Sequence, residues 1–174
     1  MRIISGKYKG KYITGFDING TRPTMDRVKE SLFGMIQDYI SDSSCLDLFA
    51  GSGAIGIECL SRRAEKAYFC DKSKDAVKMI EKNLEKTRLK EKAVIYNKDY
   101  IDCINTVSNQ KFDIIFLDPP YKEEFALDAI ERMSELKLLK DEGIIIIETD
   151  EPKRDIERIN KMNINYKMYD LRKY

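Results

Sequence analysis

From residue 41 onward, short apolar runs alternate with segments whose apolar residues recur every three or four positions. The runs at 45–49, 67–70, 93–96, 112–117 and 144–148 predict five strands, the fourth apolar but for Asp113 and bounded by charge. Between them the spacing predicts helices over 54–62, 74–86, 124–136 and 153–161. Ser73 is placed to cap the second of these, and Val77, Ile80 and Leu84 form its buried stripe. A last strand is predicted near 164–171. Ahead of this repeat, residues 1–13 predict a β-hairpin turning near Gly6 or Gly10, and 14–24 a loop. A helix over 25–39 follows, capped by Thr24, with Val28, Leu32, Phe33 and Ile36 on its apolar face.

Strands alternating with helices imply a mostly parallel sheet covered on both faces, a doubly wound α/β fold with right-handed crossovers. The 174 residues predict one domain, with 1–40 an N-terminal extension and 41–174 the core. Such sheets bind ligands beyond the carboxyl ends of their strands, which directs attention to the residues following each strand.

After the first strand comes Asp47-Leu48-Phe49-Ala50-Gly51-Ser52-Gly53, and Gly51, Gly53 and Gly56 fit G-x-G-x-x-G. The glycines allow a tight turn and close approach of a ligand, and the following helix N-terminus favours negative charge. This pattern suits a nicotinamide cofactor as well as S-adenosyl-L-methionine. Asp71, followed by Lys72, ends the second strand, where a carboxylate can accept both hydroxyls of a ribose. Asp99 and Tyr100 follow the third strand. Asp99 can accept a hydrogen bond from an adenine amino group, or serve as a turn or cap residue. The fourth strand ends in Asp118-Pro119-Pro120-Tyr121. Two consecutive prolines fix the backbone and remove two N–H donors, leaving a rigid turn rich in acceptors beside an aromatic ring. That suits an amino group on a flat base: Asp118 and the Pro119 carbonyl accept its hydrogens and Tyr121 stacks.

Composition narrows the chemistry. There is no histidine, which excludes histidine general bases, His-based triads and most zinc sites; no metal is expected. The four cysteines (45, 59, 70, 103) have no metal or redox spacing and are expected to be reduced, buried hydrophobes, which points to a cytoplasmic protein. No signal peptide or membrane-length apolar stretch is visible. The net charge is only +1, but residues 1–30 hold seven Lys/Arg against three acids. Arg2, Lys7, Lys9, Lys11, Arg22 and Arg27 are therefore candidate contacts to nucleic-acid phosphates.

Residues 118–121 resemble the [D/N]-P-P-[Y/F] motif of amino-group methyltransferases, and 47–53 their cofactor loop. The opening Met1-Arg2-Ile3-Ile4-Ser5-Gly6, the stretch 21–33 and residues 46–64 resemble the RsmD-like family. The resemblance covers residues 1–149. It implies a Rossmann-like class I methyltransferase that uses S-adenosyl-L-methionine to methylate guanine N2 in 16S ribosomal RNA, with 16S rRNA or the assembling small ribosomal subunit as its partner and a monomer as its expected state. Three departures stand out. Asp71 stands where the family commonly has glutamate, which still supplies a carboxylate. Arg63 occupies a position where the family has glycine, so a different helix cap is expected there. The chain ends at Tyr174 where the family continues with a glycine and one more strand, so the antiparallel last strand is expected to be missing. Three other readings compete. An amino methyltransferase acting on adenine or cytosine in DNA lacks a target-recognition domain here. A nicotinamide-dependent oxidoreductase leaves Asp-Pro-Pro-Tyr unexplained. A catalytically silent RNA-binding module has no need of such a turn.

Overall fold

The computed structural model describes residues 1–15, 22–119, 125–149 and 151–162, without the side chains of 22–25. Among these residues, five parallel strands form one sheet in the order β3-β2-β1-β4-β5. They are β1 (Ser44–Asp47), β2 (Lys66–Cys70), β3 (Ala93–Tyr96), β4 (Phe112–Leu117) and β5 (Leu139–Ile147). The chain steps outward from β1 to β3 on one side, then returns to β4 on the other side of β1. The cleft between the carboxyl ends of β1 and β4 is thus the topological switch point.

Alternation along the strands builds a core on each face. Cys45, Ile114 and Phe116 point into one core, with Ile3, Ile13, Phe33 and Ile57. Leu46, Ile115 and Leu117 point into the other, with Cys103, Ile104, Ala129 and Met133. The helices are α1 (Arg22–Met35), α2 (Gln37–Ile40), α3 (Ala54–Ser61), α4 (Lys74–Thr87), α5 (Tyr100–Thr106), α6 (Phe125–Glu135) and α7 (Pro152–Lys161). Ser73 does cap α4, accepting from Ala76 N–H at 3.3 Å, and Ile80 and Leu84 of the predicted stripe are buried, while Val77 is only half-buried. All four cysteines are free and buried.

Several expectations are corrected. The N-terminal helix already includes Arg22, so Thr24 lies inside it rather than capping it, and it breaks at Ile36 before the short α2. Phe33 and Ile36 are buried and Leu32 packs against the core as predicted, but Val28 is 55% exposed, while Lys29 is buried. Lys29 Nζ donates to the Arg2 carbonyl at 2.7 Å and lies 3.3 Å from Glu58, itself fully buried. Glu58 also accepts the backbone N–H groups of Ile4 (2.8 Å) and Ser5 (2.9 Å) and Arg62 Nε (2.8 Å). This charged knot ties hairpin, α1 and α3 together, which is why a lysine displaces a valine from the interior.

The hairpin holds through one antiparallel bridge, Arg2 with Tyr12, and both Gly6 and Gly10 take left-handed backbone in its turn. Arg63 is likewise left-handed (φ 76°), so α3 ends as it would with glycine instead of in a different cap. A helix, α5, fills 100–106, where none was predicted. Strand β5 starts five residues earlier than expected because an irregularity opposite Phe112–Ile114 interrupts the apolar pattern at Lys140-Asp141-Glu142. The predicted last strand lies outside the described residues, as do Pro120 and Tyr121.

Candidate active site

The switch-point cleft collects carboxylates at the ends of β1, β2, β4 and β5. Asp47 closes β1 and is buried, at 3% exposure. Burial pushes its carboxyl up to about 8, and the nearby negative charges of Asp118 and Asp71 add to the rise. Backbone N–H groups of Phe49 and Gly56 act in the opposite sense by donating to it. Asp118, on the rim after β4, is raised to about 6, first by burial of its inner side and then by Glu148 at the end of β5. Its outer side remains open to water, so its charged form is affected less than that of Asp47. Pro119 beside it is buried.

The glycine loop is tight. Gly53 N–H donates to the Ala50 carbonyl at 2.7 Å, and Ala50 N–H reaches Cys70 O in β2 at 2.9 Å. Gly51 N–H donates to Asp71 Oδ2 at 2.9 Å, while Ser73 N–H donates to Asp71 Oδ1 at 2.8 Å. Asp71 therefore braces the glycine loop through Oδ2 and the start of α4 through Oδ1, leaving a lone pair on each oxygen. Ser52 is buried, its carbonyl accepting from Asn83 Nδ2 at 2.9 Å. The third glycine of the motif serves packing: a Cβ on Gly56 would fall 2.3 Å from Cε1 of Phe69, so only glycine lets α3 lie this close to β2.

Beside the acids stands an aromatic group. The rings of Phe49 and Tyr100 lie 5.5 Å apart, Tyr100 and Phe125 are 5.0 Å apart, and Lys72 Nζ lies 5.9 Å from the Phe125 ring centre. Asp99 caps α5, its Oδ1 accepting from Ile101 N–H at 3.0 Å, so the cap reading holds for that oxygen. Asn97 Nδ2 bridges the carbonyls of Asp71 (3.0 Å) and Lys72 (3.1 Å), tying the ends of β2 and β3 together. An open groove of about 600 Å³, lined by Lys72, Asn97 and Asp99 among others, runs along this edge.

The fold thus brings together Asp47, Phe49, Ala50, Gly51, Ser52, Gly53, Asp71, Lys72, Asp99, Tyr100, Asp118 and Pro119. It does not bring the basic arm there. Lys7 and Tyr8 hydrogen-bond Ser61 at the far end of α3, about 12 Å of helix rise from the glycine loop. Lys7 and Lys11 lie over the Tyr8 ring, at 5.7 and 5.0 Å, and Lys9 is exposed. Arg2 is 3.4 Å from Asp26 and Arg27 is exposed on α1; the Arg22 side chain lies outside the described residues. Sequence reasoning missed Glu148 and Phe125. Glu148 closes a predicted strand and could have been found by extending the strand-end rule to the fifth strand; nothing in the spacing singled out Phe125.

A cleft lined with carboxylates favours a cationic ligand. S-adenosyl-L-methionine carries a sulfonium and an ammonium against one carboxylate, and its net positive charge suits clustered acids that raise one another's pKa. The pyrophosphate of a nicotinamide dinucleotide would add negative charge to them. Known proteins point the same way. The profile of the family described as conserved hypothetical protein 95 matches residues 1–172. The ribosomal RNA small subunit methyltransferase D of Haemophilus influenzae is 40% identical over 155 residues, spanning 88% of this chain and 80% of that protein. The protein of the same name from Escherichia coli is 33% identical over 150 residues, spanning 86% and 75%. The solved structure of the Escherichia coli yhhF protein superposes with a TM-score of 0.73 at 32% identity, covering 84% of this chain and 79% of that one. The chain therefore belongs to the conserved hypothetical protein 95 family, the RsmD-like group of methyltransferases with a class I Rossmann-like fold.

Proposed function

We propose that this protein transfers a methyl group from S-adenosyl-L-methionine to the exocyclic N2 of a guanine in 16S ribosomal RNA. The observation that carries the proposal is the meeting of the acceptor-rich Asp118–Pro119 turn with buried Asp47 and the braced glycine loop at one switch point. The cofactor, when bound, supplies an electrophilic methyl group on a sulfonium. Asp71 offers its two remaining lone pairs to the ribose hydroxyls, and Asp47 balances the positive charge of the bound molecule. Phe49 and Tyr100 flank the adenine, with Ala50, Gly51, Ser52 and Gly53 forming the backbone cradle and Lys72, Asp99 and Tyr100 its outer edge.

The target nitrogen is the difficult partner, since its lone pair is delocalised into the guanine ring. Asp118 and the Pro119 carbonyl accept its N–H hydrogens, which returns the lone pair to nitrogen and stabilises the positive charge that develops there. Pro120 stiffens the turn and Tyr121 stacks on the base. No strong base is needed, because the alkylated nitrogen is acidic and sheds its proton once methylated. The base must be unstacked to reach this turn. With the hairpin tip at the opposite pole from the cleft, Arg2, Lys7, Lys9 and Lys11, together with Arg22 and Arg27, hold phosphates flanking the target rather than around it. We place the enzyme in the cytoplasm, acting as a monomer on 16S rRNA or the assembling small subunit.

The test is to incubate the protein with small ribosomal subunits lacking the modification and methyl-labelled cofactor, then digest the RNA to nucleosides. Label in N2-methylguanosine is expected. Label in N6-methyladenosine or a methylcytidine would move the proposal to another base, and no transfer to RNA would end it.

A further inference from the structure

At the amino-terminal pole of the sheet, away from the acidic cleft, the hairpin tip and the end of α3 enclose a second groove of about 520 Å³. Its floor is apolar, from Ile40, Leu60 and Leu89, and among the described residues its charged lining is Lys7, Arg62, Arg63 and Lys92, with no carboxylate. Arg62 is committed elsewhere, bound to Glu58 at 2.8 Å and stacked 4.8 Å over Phe33. Lys7, Arg63 and Lys92 are exposed.

Two features show that the groove is built. The tip is clamped: Lys7 N–H donates to Ser61 O at 2.8 Å and Tyr8 N–H to Ser61 Oγ at 3.1 Å. Gly6 approaches so closely that a Cβ there would sit 2.0 Å from the Ser61 carbonyl oxygen. Independently, α3 ends in a Schellman motif, with Ala64 N–H on Cys59 O at 3.0 Å and Arg63 N–H on Leu60 O at 3.3 Å. The left-handed residue of that motif is Arg63, at φ 76°, where glycine would escape the Cβ clash. Asp42, Arg88 and Lys137 share this left-handed backbone, so the conformation fixes Arg63 at the rim of the groove without by itself marking it as functional.

We propose that this groove binds the sugar-phosphate backbone of an RNA segment that lies outside the stretch entering the methyl-transfer cleft, with Lys7, Arg63 and Lys92 each neutralising a phosphate. The proposal rests on the reading of RNA as substrate. A polyanion with regularly spaced charges suits separated cations around an apolar floor. An acidic peptide would also need backbone partners, and the N–H groups of Lys7 and Tyr8 are already spent on Ser61.

The test measures filter binding of full-length 16S rRNA transcript to the whole protein over a series of KCl concentrations. The double variant R63G/K92S should bind about tenfold more weakly at low salt. Its salt slope should fall by about 1.4–1.8, at about 0.7–0.9 for each of two phosphates left without its cation. Its S-adenosyl-L-methionine affinity should be unchanged. Arg63→Gly alone should raise the melting temperature while lowering RNA affinity, opposite signs that a purely structural arginine would not give. K153S/K161S, on α7 across the sheet, should leave the slope as it is. An unchanged slope in R63G/K92S overturns the proposal. So does a loss of affinity seen with ribosomal particles and absent with naked RNA, which would make the groove a protein-docking site. If the unaltered protein binds and methylates no RNA, the substrate reading falls and takes the groove with it, an outcome distinct from normal methylation with an unchanged slope.

Discussion

Replacing Asp47 with asparagine should make the protein less stable in mild acid and more stable in mild base. A carboxyl raised from 3.8 to about 8 keeps its proton in the folded protein over a range where the unfolded chain has lost it. Folded stability therefore falls as pH rises from about 4 to about 8, then levels off. Each pH unit of that window is worth about 1.4 kcal/mol, which sets a ceiling of about 6 kcal/mol. Relaxation and salt weaken the repulsion from Asp118 and Asp71, so a total near 3–5 kcal/mol is expected. Asparagine does not titrate, but it offers one acceptor to the two N–H donors of Phe49 and Gly56, a constant cost of about 1–2 kcal/mol. The two stability curves should cross between pH 5 and 8. Urea unfolding of both proteins from pH 5 to 9 at fixed salt reads this directly. Parallel curves would show that Asp47 is not a proton-holding group and would remove the reason given for its raised pKa. The same linkage acts on ligand binding: a cationic cofactor favours ionised Asp47, so its affinity for the unaltered protein should rise with pH up to about 8, and much less so for Asp47→Asn.

Asp71→Ala should weaken S-adenosyl-L-methionine binding by about 1–3 kcal/mol in calorimetry, because the ribose hydroxyls go unpaired and Gly51 is unbraced; unchanged affinity would remove Asp71 from the cofactor site. Glu58→Gln should cost about 3–5 kcal/mol of stability in urea unfolding, because Lys29 and Arg62 lose the charge that pairs them. A cost below about 0.5 kcal/mol would mean that the knot joining hairpin, α1 and α3 contributes little.

How legible the molecule was depended on whether a residue's role followed from its own neighbours in sequence. Strands β3 and β4 were predicted to the residue because each is largely apolar and bounded by polar positions, although β3 is a half-buried edge strand. The cleft was legible because the switch-point rule turns strand ends into site positions, and the strand ends were clear. Lys29 and Glu58 were not legible: each reads locally as a solvated helix residue, and only the hairpin's return onto α3 supplies the partners that allow burial. Val28 was misplaced for the same reason. Arg63 looked like a change of helix cap, yet the backbone kept the glycine conformation and accepted the strain. The early start of β5 was hidden by a charged interruption, where Lys140 pairs with Asp113 across the irregularity at 2.8 Å.

The central claim is that Asp118 activates a guanine amino group by accepting its hydrogen bonds, and single-turnover methyl transfer to the small ribosomal subunit tests it most directly. Asp118→Ala should bind S-adenosyl-L-methionine within about twofold of the unaltered protein, since its proposed contacts form with the base. Its transfer rate should fall by about 10²–10³, the loss typical of removing one group that stabilises developing charge. In the unaltered protein the rate should decline as pH drops below about 6, where Asp118 takes up a proton and turns from acceptor to donor. A variant that transfers methyl to guanine N2 within tenfold of the normal rate, with the same pH profile, would contradict the account.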